Sequence, residues 1–285
     1  MPELPEVETI RRDLLKKVVN KKISNISILN KKTVRNKQDF FLRALKGNKI
    51  TDIKRTGKLI IFQLDKNGYL LTHLKMTGQL VYWKKGKITA GGHSLSQGGF
   101  DLPNKHTRVR IDFEDGAVLF FNDMRLFGYM EIVDSEKLRV VLDKFGIEPL
   151  TPNYTPEKFV DIFKNRRTSL KAILLNQNLI AGLGNIYADE SCFQAGICPD
   201  RKAVSLNSKE IKKLYQAIKI VLKKALENRG TTFNNYVDSD GRSGNFVDKL
   251  KVYGRAGEAC KNCRNKLKRI KLAGRSTVFC EKCQK

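Results

Sequence analysis

The sequence predicts an α+β protein of two domains: an antiparallel β-sandwich with a leading helix, then a helical domain ending in a zinc-ribbon β-hairpin. Three observations predict it. Residues 23–133 carry short runs rich in β-branched and aromatic side chains. Beyond the prolines at 149, 152 and 156 the apolar residues recur at spacings of three and four, and the chain closes on two Cys-x-x-Cys pairs.

The leading helix follows from Val7, Ile10, Leu14, Leu15 and Val18, which form one apolar face with Pro5 in the first turn. The helix therefore begins almost at Met1. Strands are predicted at 23–29, 58–64, 68–74, 79–83, 107–113, 117–121 and 129–133, separated by turns such as Lys66-Asn67-Gly68 and Glu114-Asp115-Gly116. Residues 84–104 are glycine-rich without an apolar period and predict a long mobile loop. Helices are predicted around Phe159, Ile162 and Phe163, around Leu170, Ile173 and Leu174, and along Ile211, Leu214, Tyr215, Ile218, Leu222 and Ala225 after an N-cap at Ser208. The expected divisions are 1–134 for the sandwich, 135–152 for a linker, 153–248 for the helical domain and 249–285 for the zinc finger.

Lys and Arg number 55 against 29 Asp and Glu among 285 residues, a formal charge of +26 on a chain that is 41% hydrophobic. A folded, strongly basic protein points to a polyanion: DNA, ribosomal RNA or an anionic membrane surface. No apolar stretch is long enough to span a bilayer, and the opening MPELPEVE carries acids where a signal peptide carries bases. A cytoplasmic protein is expected, with reduced thiols that call for a metal before a disulfide.

Cys260, Cys263, Cys280 and Cys283 form two knuckles separated by sixteen residues. Four thiolates complete a tetrahedral site and leave no open position, so one structural Zn2+ is expected. The segment between the knuckles carries six Lys or Arg and predicts a hairpin with Gly274-Arg275 at its tip. By itself Arg275 fits a phosphate clamp and a basic surface turn equally well. Cys192 and Cys198 lie outside the spacing and are expected as small core residues.

Together the Met-Pro-Glu-Leu-Pro-Glu-Val-Glu-Thr opening, Arg55-Thr56-Gly57-Lys58, His73-Leu74-Lys75-Met76, Asp123-Met124-Arg125-Leu126-Phe127-Gly128, Ala181 to Glu190, Val252-Tyr253-Gly254-Arg255 and Gly274-Arg275-Ser276-Thr277 resemble the formamidopyrimidine-DNA glycosylase family in order and spacing. The resemblance spans nearly the whole chain and implies that the helical domain is a helix-two-turn-helix unit. It also implies a bacterial base-excision enzyme, at once a glycosidase and a lyase, that excises 8-oxoguanine and formamidopyrimidines from duplex DNA and then cuts the abasic site by β,δ-elimination. A monomer with no obligate protein partner and no membrane attachment is expected, in the cytoplasm with the nucleoid.

The resemblance further assigns roles. Once Met1 is removed, Pro2 is the nucleophilic amine at a helix N-terminus, where positive potential favours its neutral form. Glu3 is the acid for ring opening and proton transfer, Glu6 a supporting carboxylate, and Lys58 the lysine beside the lesion. Met76, Arg125 and Phe127 fill the space a flipped nucleotide vacates. Lys171, Asn185 and Arg275 contact DNA phosphates. Departures occur at Lys105-His106-Thr107-Arg108, at Ala172 and at Met124, and the lesion is expected to be selected by the loop 236–250. The sister endonuclease VIII family, which takes oxidised pyrimidines, is the alternative, although Leu4 sides with the purine enzymes. A non-catalytic zinc-ribbon protein that binds nucleic acid is the alternative outside enzymes.

Overall fold

The computed structural model describes residues 1–66, 68–92, 102–231 and 246–285. The chain divides into two compact units, Met1–Asp143 with Asn228–Val247, and Lys144–Glu227 with Asp248–Lys285. Residues 228–231, expected within the helical domain, therefore belong to the first unit.

The first unit opens with α1 (Leu4–Val18), whose Val7, Ile10, Leu14 and Val18 are buried as their spacing requires. Next come β1 (Ile23–Ile28), α2 (Gln38–Leu45), β2 (Ile50–Thr56), β3 (Leu59–Leu64), β4 (Tyr69–His73), β5 (Gly78–Lys84), β6 (Lys87–Gly92), β7 (Thr107–Phe113), β8 (Val118–Asp123), β9 (Tyr129–Val133) and α3 (Ser135–Leu142). They build two antiparallel sheets, ordered β1-β7-β8-β5-β6 and β2-β3-β4-β9. One apolar core joins α1 and Phe41 of α2 to inward residues of both sheets, among them Ile53, Phe62, Val109 and Phe121.

Besides α2, which interrupts the run expected to be all β, three elements depart from the sequence expectation. Strand β2 reads ITDIKRT and lacks strict alternation because its register shifts between Ile50 and Asp52, which leaves Ile50 and Ile53 buried at an odd spacing. The expected linker 135–152 contains α3, N-capped by Asp134 through a 2.8 Å bond from the Lys137 amide. The expected mobile loop 84–104 is not a loop over its first part: β6 pairs with β5 from Lys84↔Lys87 to Gln79↔Gly92. Gly91 serves packing there, because a Cβ on it would stand 2.4 Å from Ile10 Cγ1 of α1. Residues 93–101 lie outside the described residues.

The second unit contains α4 (Pro156–Asp161), α5 (Leu170–Leu175), α6 (Asn185–Ala195), α7 (Ser208–Glu227) and the hairpin β10 (Lys268–Leu272) with β11 (Arg275–Phe279). The apolar stripe of α7 is buried along its length. Its cap is Asn207 rather than Ser208: Asn207 Oδ1 accepts the Glu210 amide at 3.0 Å while Glu210 Oε2 accepts the Asn207 amide at 2.8 Å. Helix α6 is buried almost all round, from Ile186 to Phe193. Among the described residues no helix is long and apolar enough to cross a membrane.

Candidate active site and DNA-contacting residues

Strand register collects the candidate residues of the first unit. Leu59 pairs with His73, and His73 pairs with Tyr129. The β2–β3 turn that holds Lys58, the β4–β5 loop that holds Met76 and the β8–β9 loop that holds Arg125 and Phe127 therefore leave the same end of one sheet. Strand spacing sets their roots within roughly 10 Å. In the facing sheet Gly78 pairs with Asp123, which brings the other ends of the last two loops together as well.

Asp123, which sequence reasoning left without a role, builds the β8–β9 loop. It has no solvent exposure. Oδ1 accepts from Thr77 Oγ1 and, at 3.2 Å, from the Arg125 amide; Oδ2 accepts the Gly128 amide at 2.7 Å. Gly128 is obligatory, since a Cβ there would lie 2.8 Å from the Phe121 ring. The loop so held leaves Phe127 53% and Met124 47% exposed, with the Arg125 guanidinium 4.6 Å above the Phe127 ring. Met76 is 40% exposed on its own loop. Lys75 and Leu126, immediately before Met76 and Phe127, have φ of 50° and 58°, a conformation held only where surrounding contacts enforce it.

His73 enforces the first of these. Its Nδ1 accepts the Lys75 amide at 3.0 Å, so the neutral ring carries its proton on Nε2. Burial, then the charges of Lys75, Lys58 and Arg35, hold this imidazole down at about 3.

Around the N-terminus, Pro2 is buried, Glu3 is 2% exposed and Met1 is exposed. Glu6 Oε2 accepts the Glu3 amide at 2.8 Å, while its Oε1 accepts the Thr231 amide at 2.7 Å and hydroxyl at 3.1 Å. Gly230, at φ 83°, leaves room for that carboxylate: a Cβ would lie 2.5 Å from Glu6 Oε1. Lys58 is 6% exposed. Of the loop expected to select the lesion, Tyr236 to Asn245 lie outside the described residues.

In the second unit the expected role of Lys171 is corrected. Lys171, expected on a DNA phosphate, has no solvent exposure, and its ammonium donates to Asp189 Oδ1 at 2.6 Å, Thr277 Oγ1 at 2.7 Å and the Ser276 carbonyl at 3.1 Å. An ammonium has three donors, and all are used, so none remains for a phosphate. Asp189 Oδ2 also accepts the Val278 amide at 3.1 Å. Burial raises the Asp189 carboxyl to about 6 against the pull of Lys171. Asn185, the first residue of α6, donates one of its two Nδ2 hydrogens to the same Ser276 carbonyl at 3.0 Å. Both side chains thus brace the hairpin. Its turn is Ala273-Gly274, with φ of 48° and 69°, and exposed Arg275 opens β11 opposite Leu272.

The neighbouring Glu190, 4% exposed, accepts three successive amides, from Lys251 at 3.0 Å and from Val252 and Tyr253 at 2.9 Å. It fastens the approach to the zinc finger onto α6. The Sγ atoms of Cys260, Cys263, Cys280 and Cys283 all lie within 4.8 Å of one another. Tetrahedral Zn–S bonds of about 2.3 Å place sulfurs about 3.8 Å apart, so the four thiols fit a zinc ion. Burial raises the Cys260 thiol, but the amides of Cys263 and Asn262 and the neighbouring thiols together bring it to about 7, whereas burial pushes Cys280 up and burial with the neighbouring thiols pushes Cys283 up to about 12. Cys192 is buried and Cys198 half-buried, and neither belongs to this four-thiol group.

A β-sandwich with a buried N-terminal carboxylate, a helical unit and a four-cysteine ribbon define a zinc-bearing protein of nucleic-acid type. Residues 1–130 match the formamidopyrimidine-DNA glycosylase N-terminal domain, 145–236 the H2TH domain of the same enzymes, and 257–285 the zinc finger found in FPG and IleRS. The formamidopyrimidine-DNA glycosylase of Desulfitobacterium hafniense is 42% identical over 287 residues, and that of Trichormus variabilis 40% over 291, each alignment covering all of both chains. Among solved structures, the Lactococcus lactis Fpg in complex with DNA containing an abasic site superposes with a TM-score of 0.87 at 32% identity, over 99% of each chain. A mutant of that L. lactis protein, bound to DNA containing Fapy-dG, gives 0.87 at 32% over all of both. The chain belongs to the formamidopyrimidine-DNA glycosylase family.

Three outcomes are expected from this geometry. Lys171→Met strands the buried Asp189 carboxylate and lowers unfolding free energy by about 3–5 kcal/mol in urea titration, whereas Arg275→Ala, on the surface, changes it by no more than about 0.5 kcal/mol. Removing the metal with a chelator, or Cys263→Ser, unfolds the ribbon and weakens binding to duplex DNA in a fluorescence titration. Acid lowers stability in two windows. The unfolded histidine takes up a proton below its ordinary 6.5 while folded His73 does not until about 3; Glu8, ordinarily 4.5, stays ionised to about 2 in the fold. Both contributions are complete above these unfolded values and fade as pH falls through each window. His73→Asn should flatten the upper one.

Proposed function

We propose that the chain excises oxidised purines from duplex DNA and cuts the strand at the resulting abasic site, with Pro2 as its nucleophile. The observation that carries this reading is the register that gathers the Lys58, Met76, Arg125 and Phe127 loops at one end of the unit bearing Pro2 and Glu3. The full-length likeness to glycosylases, and to an Fpg bound to abasic-site and Fapy-dG DNA, supports the same reading.

While Met1 is attached, the Pro2 nitrogen is an amide without a basic lone pair. Once freed it is a secondary amine, and an α-amine titrates near ~8. It attacks C1′ of the damaged nucleotide; the glycosidic bond breaks, the base leaves with its electron pair and takes a proton, and the sugar stays bonded through C1′ to the proline nitrogen, becoming an iminium ion only when the bond from C1′ to the ring oxygen breaks. Glu3 gives a proton to the ring oxygen as the ring opens. Loss of the 3′ and then the 5′ phosphate by β,δ-elimination completes the reaction. Met76 and Phe127 take the place of the extruded nucleotide in the stack, and Arg125 donates to the orphaned opposite base.

Arg275 and Asn185 hold phosphates of the bound duplex without reading sequence. Lys171 serves them by fixing Ser276 and Thr277 rather than by touching DNA. The zinc ion is structural and keeps the hairpin rigid. A monomer in the cytoplasm, working on the nucleoid, suits such an activity, and the division into sandwich, helical and zinc-finger segments assigns the chemistry to the first and the grip to the other two.

Borohydride trapping on duplex DNA with 8-oxoguanine opposite cytosine, with mass spectrometry of the N-terminus, tests the reading. A covalent adduct through Pro2 in a chain lacking Met1 is expected. An intact Met1, or no adduct where a known homologue is trapped, overturns it; preferential trapping on oxidised pyrimidines assigns the chain the sister specificity instead.

A further inference from the structure

A buried carboxylate links the two stretches of chain that carry the proposed nucleophile and the proposed lysine. Glu8 lies on α1, one helical turn past Leu4. It accepts from Arg11 Nε and Nη2, both at 2.9 Å, from Arg12 Nε at 2.7 Å and from Arg55 Nε at 3.1 Å. Arg55 lies near the end of β2, and its Nη1 donates at 2.9 Å to the carbonyl of Gly57, the residue before Lys58. Arg11 adds a second tie to that strand, donating to the Ile53 carbonyl at 3.1 Å.

The geometry makes this contact a determinant of where the lysine points. Gly57 and Lys58 form a two-residue turn between the paired residues Thr56 and Leu59, with Gly57 at φ 57°. The carbonyl of Gly57 belongs to the peptide plane that leads into Lys58, so fixing that oxygen fixes the orientation of the following Cα. The Arg55 and Glu8 side chains are only 10% and 11% exposed, which keeps water from replacing either bond. Despite its burial, Glu8 is held at about 2 by its arginines, so the carboxylate of the brace stays ionised at neutral pH. A planar guanidinium can present one donor to a carboxylate and another to a carbonyl; an ammonium at the end of a flexible stem lacks that fork.

We propose that Arg55, anchored by Glu8, is a positioning residue that ties the Lys58 turn to the helix carrying Pro2. This rests on the proposed roles of Pro2 and Lys58. Displacing a reacting group by about 1 Å costs up to ~10²-fold in rate, whereas loss of a remote surface pair costs almost nothing. Arg12 supplies the contrast: it shares the Glu8 carboxylate, is 57% exposed and, among the described residues, forms no bond with the turn.

The test is a double-mutant cycle on the single-turnover rate of borohydride trapping at an abasic site. Arg55→Lys is expected to slow trapping by about tenfold, and Arg12→Ala to leave it at the wild-type rate. If Arg55 acts through Lys58, Arg55→Lys combined with Lys58→Ala is no slower than Lys58→Ala alone; independent structural damage would make the two losses multiply. Trapping by Arg55→Lys within about twofold of wild type, or multiplying losses, overturns the inference. Should Arg55→Lys melt without a cooperative transition, Glu8→Gln takes its place in the cycle with the same expectations. A wild-type chain that forms no adduct overturns the nucleophile reading and this inference with it, whereas a reactive wild type beside an unaffected variant overturns this inference alone.

Discussion

A carboxylate withdrawn from water costs several kcal/mol unless donors surround it, and that constraint shapes both units of this protein. Glu8 is enclosed by Arg11, Arg12 and Arg55; Asp123 by Thr77 and the amides of Arg125 and Gly128; Asp189 by Lys171 and the Val278 amide; Glu190 by three successive amides. In each case at least one donor comes from a different element than the acid. Satisfying the acid therefore fixes a loop or turn: the Lys58 turn, the β8–β9 loop, the zinc hairpin and the approach to the ribbon.

Such anchoring suits side chains that must stand exposed. Phe127 and Met76 are large apolar groups facing water, and neither gains stability from that position. Their loops keep their shape through Asp123 and His73 beneath them, and through tolerated left-handed residues at Lys75 and Leu126. The rigidity belongs to buried polar groups and the exposure to the residues they carry. In the second unit, too, the buried Lys171 and Asp189 hold in place the hairpin whose Arg275 is exposed.

Much of this was legible in order and spacing. The apolar face of α1, the stripe of α7, the strands with strong alternation and the cysteine knuckles each follow a local period, and local periods survive without knowledge of partners. Strand β2 escaped because a register shift broke its alternation, and β6 because its glycines imitate a loop, although Gly91 in fact admits Ile10. The family resemblance places Lys171 on DNA, and a motif match carries no information about burial. Only the distant Asp189 and Thr277, which no sequence period connects to it, reveal that it is spent inside the fold. Asp123, His73 and Arg55 lay within recognisable motifs, yet their work is done on backbone atoms, which a motif does not display.

By itself the sequence determined what depends on composition and neighbours along the chain: the basic charge, the two-unit plan, the zinc ligands and the N-terminal proline before a helix. Tertiary structure alone decided which charges are buried, which loops share the end of a sheet, and which cation faces solvent and which a carboxylate. The reason is that pairing energy depends on separation in space and on the exclusion of water, and neither is a function of position along the chain.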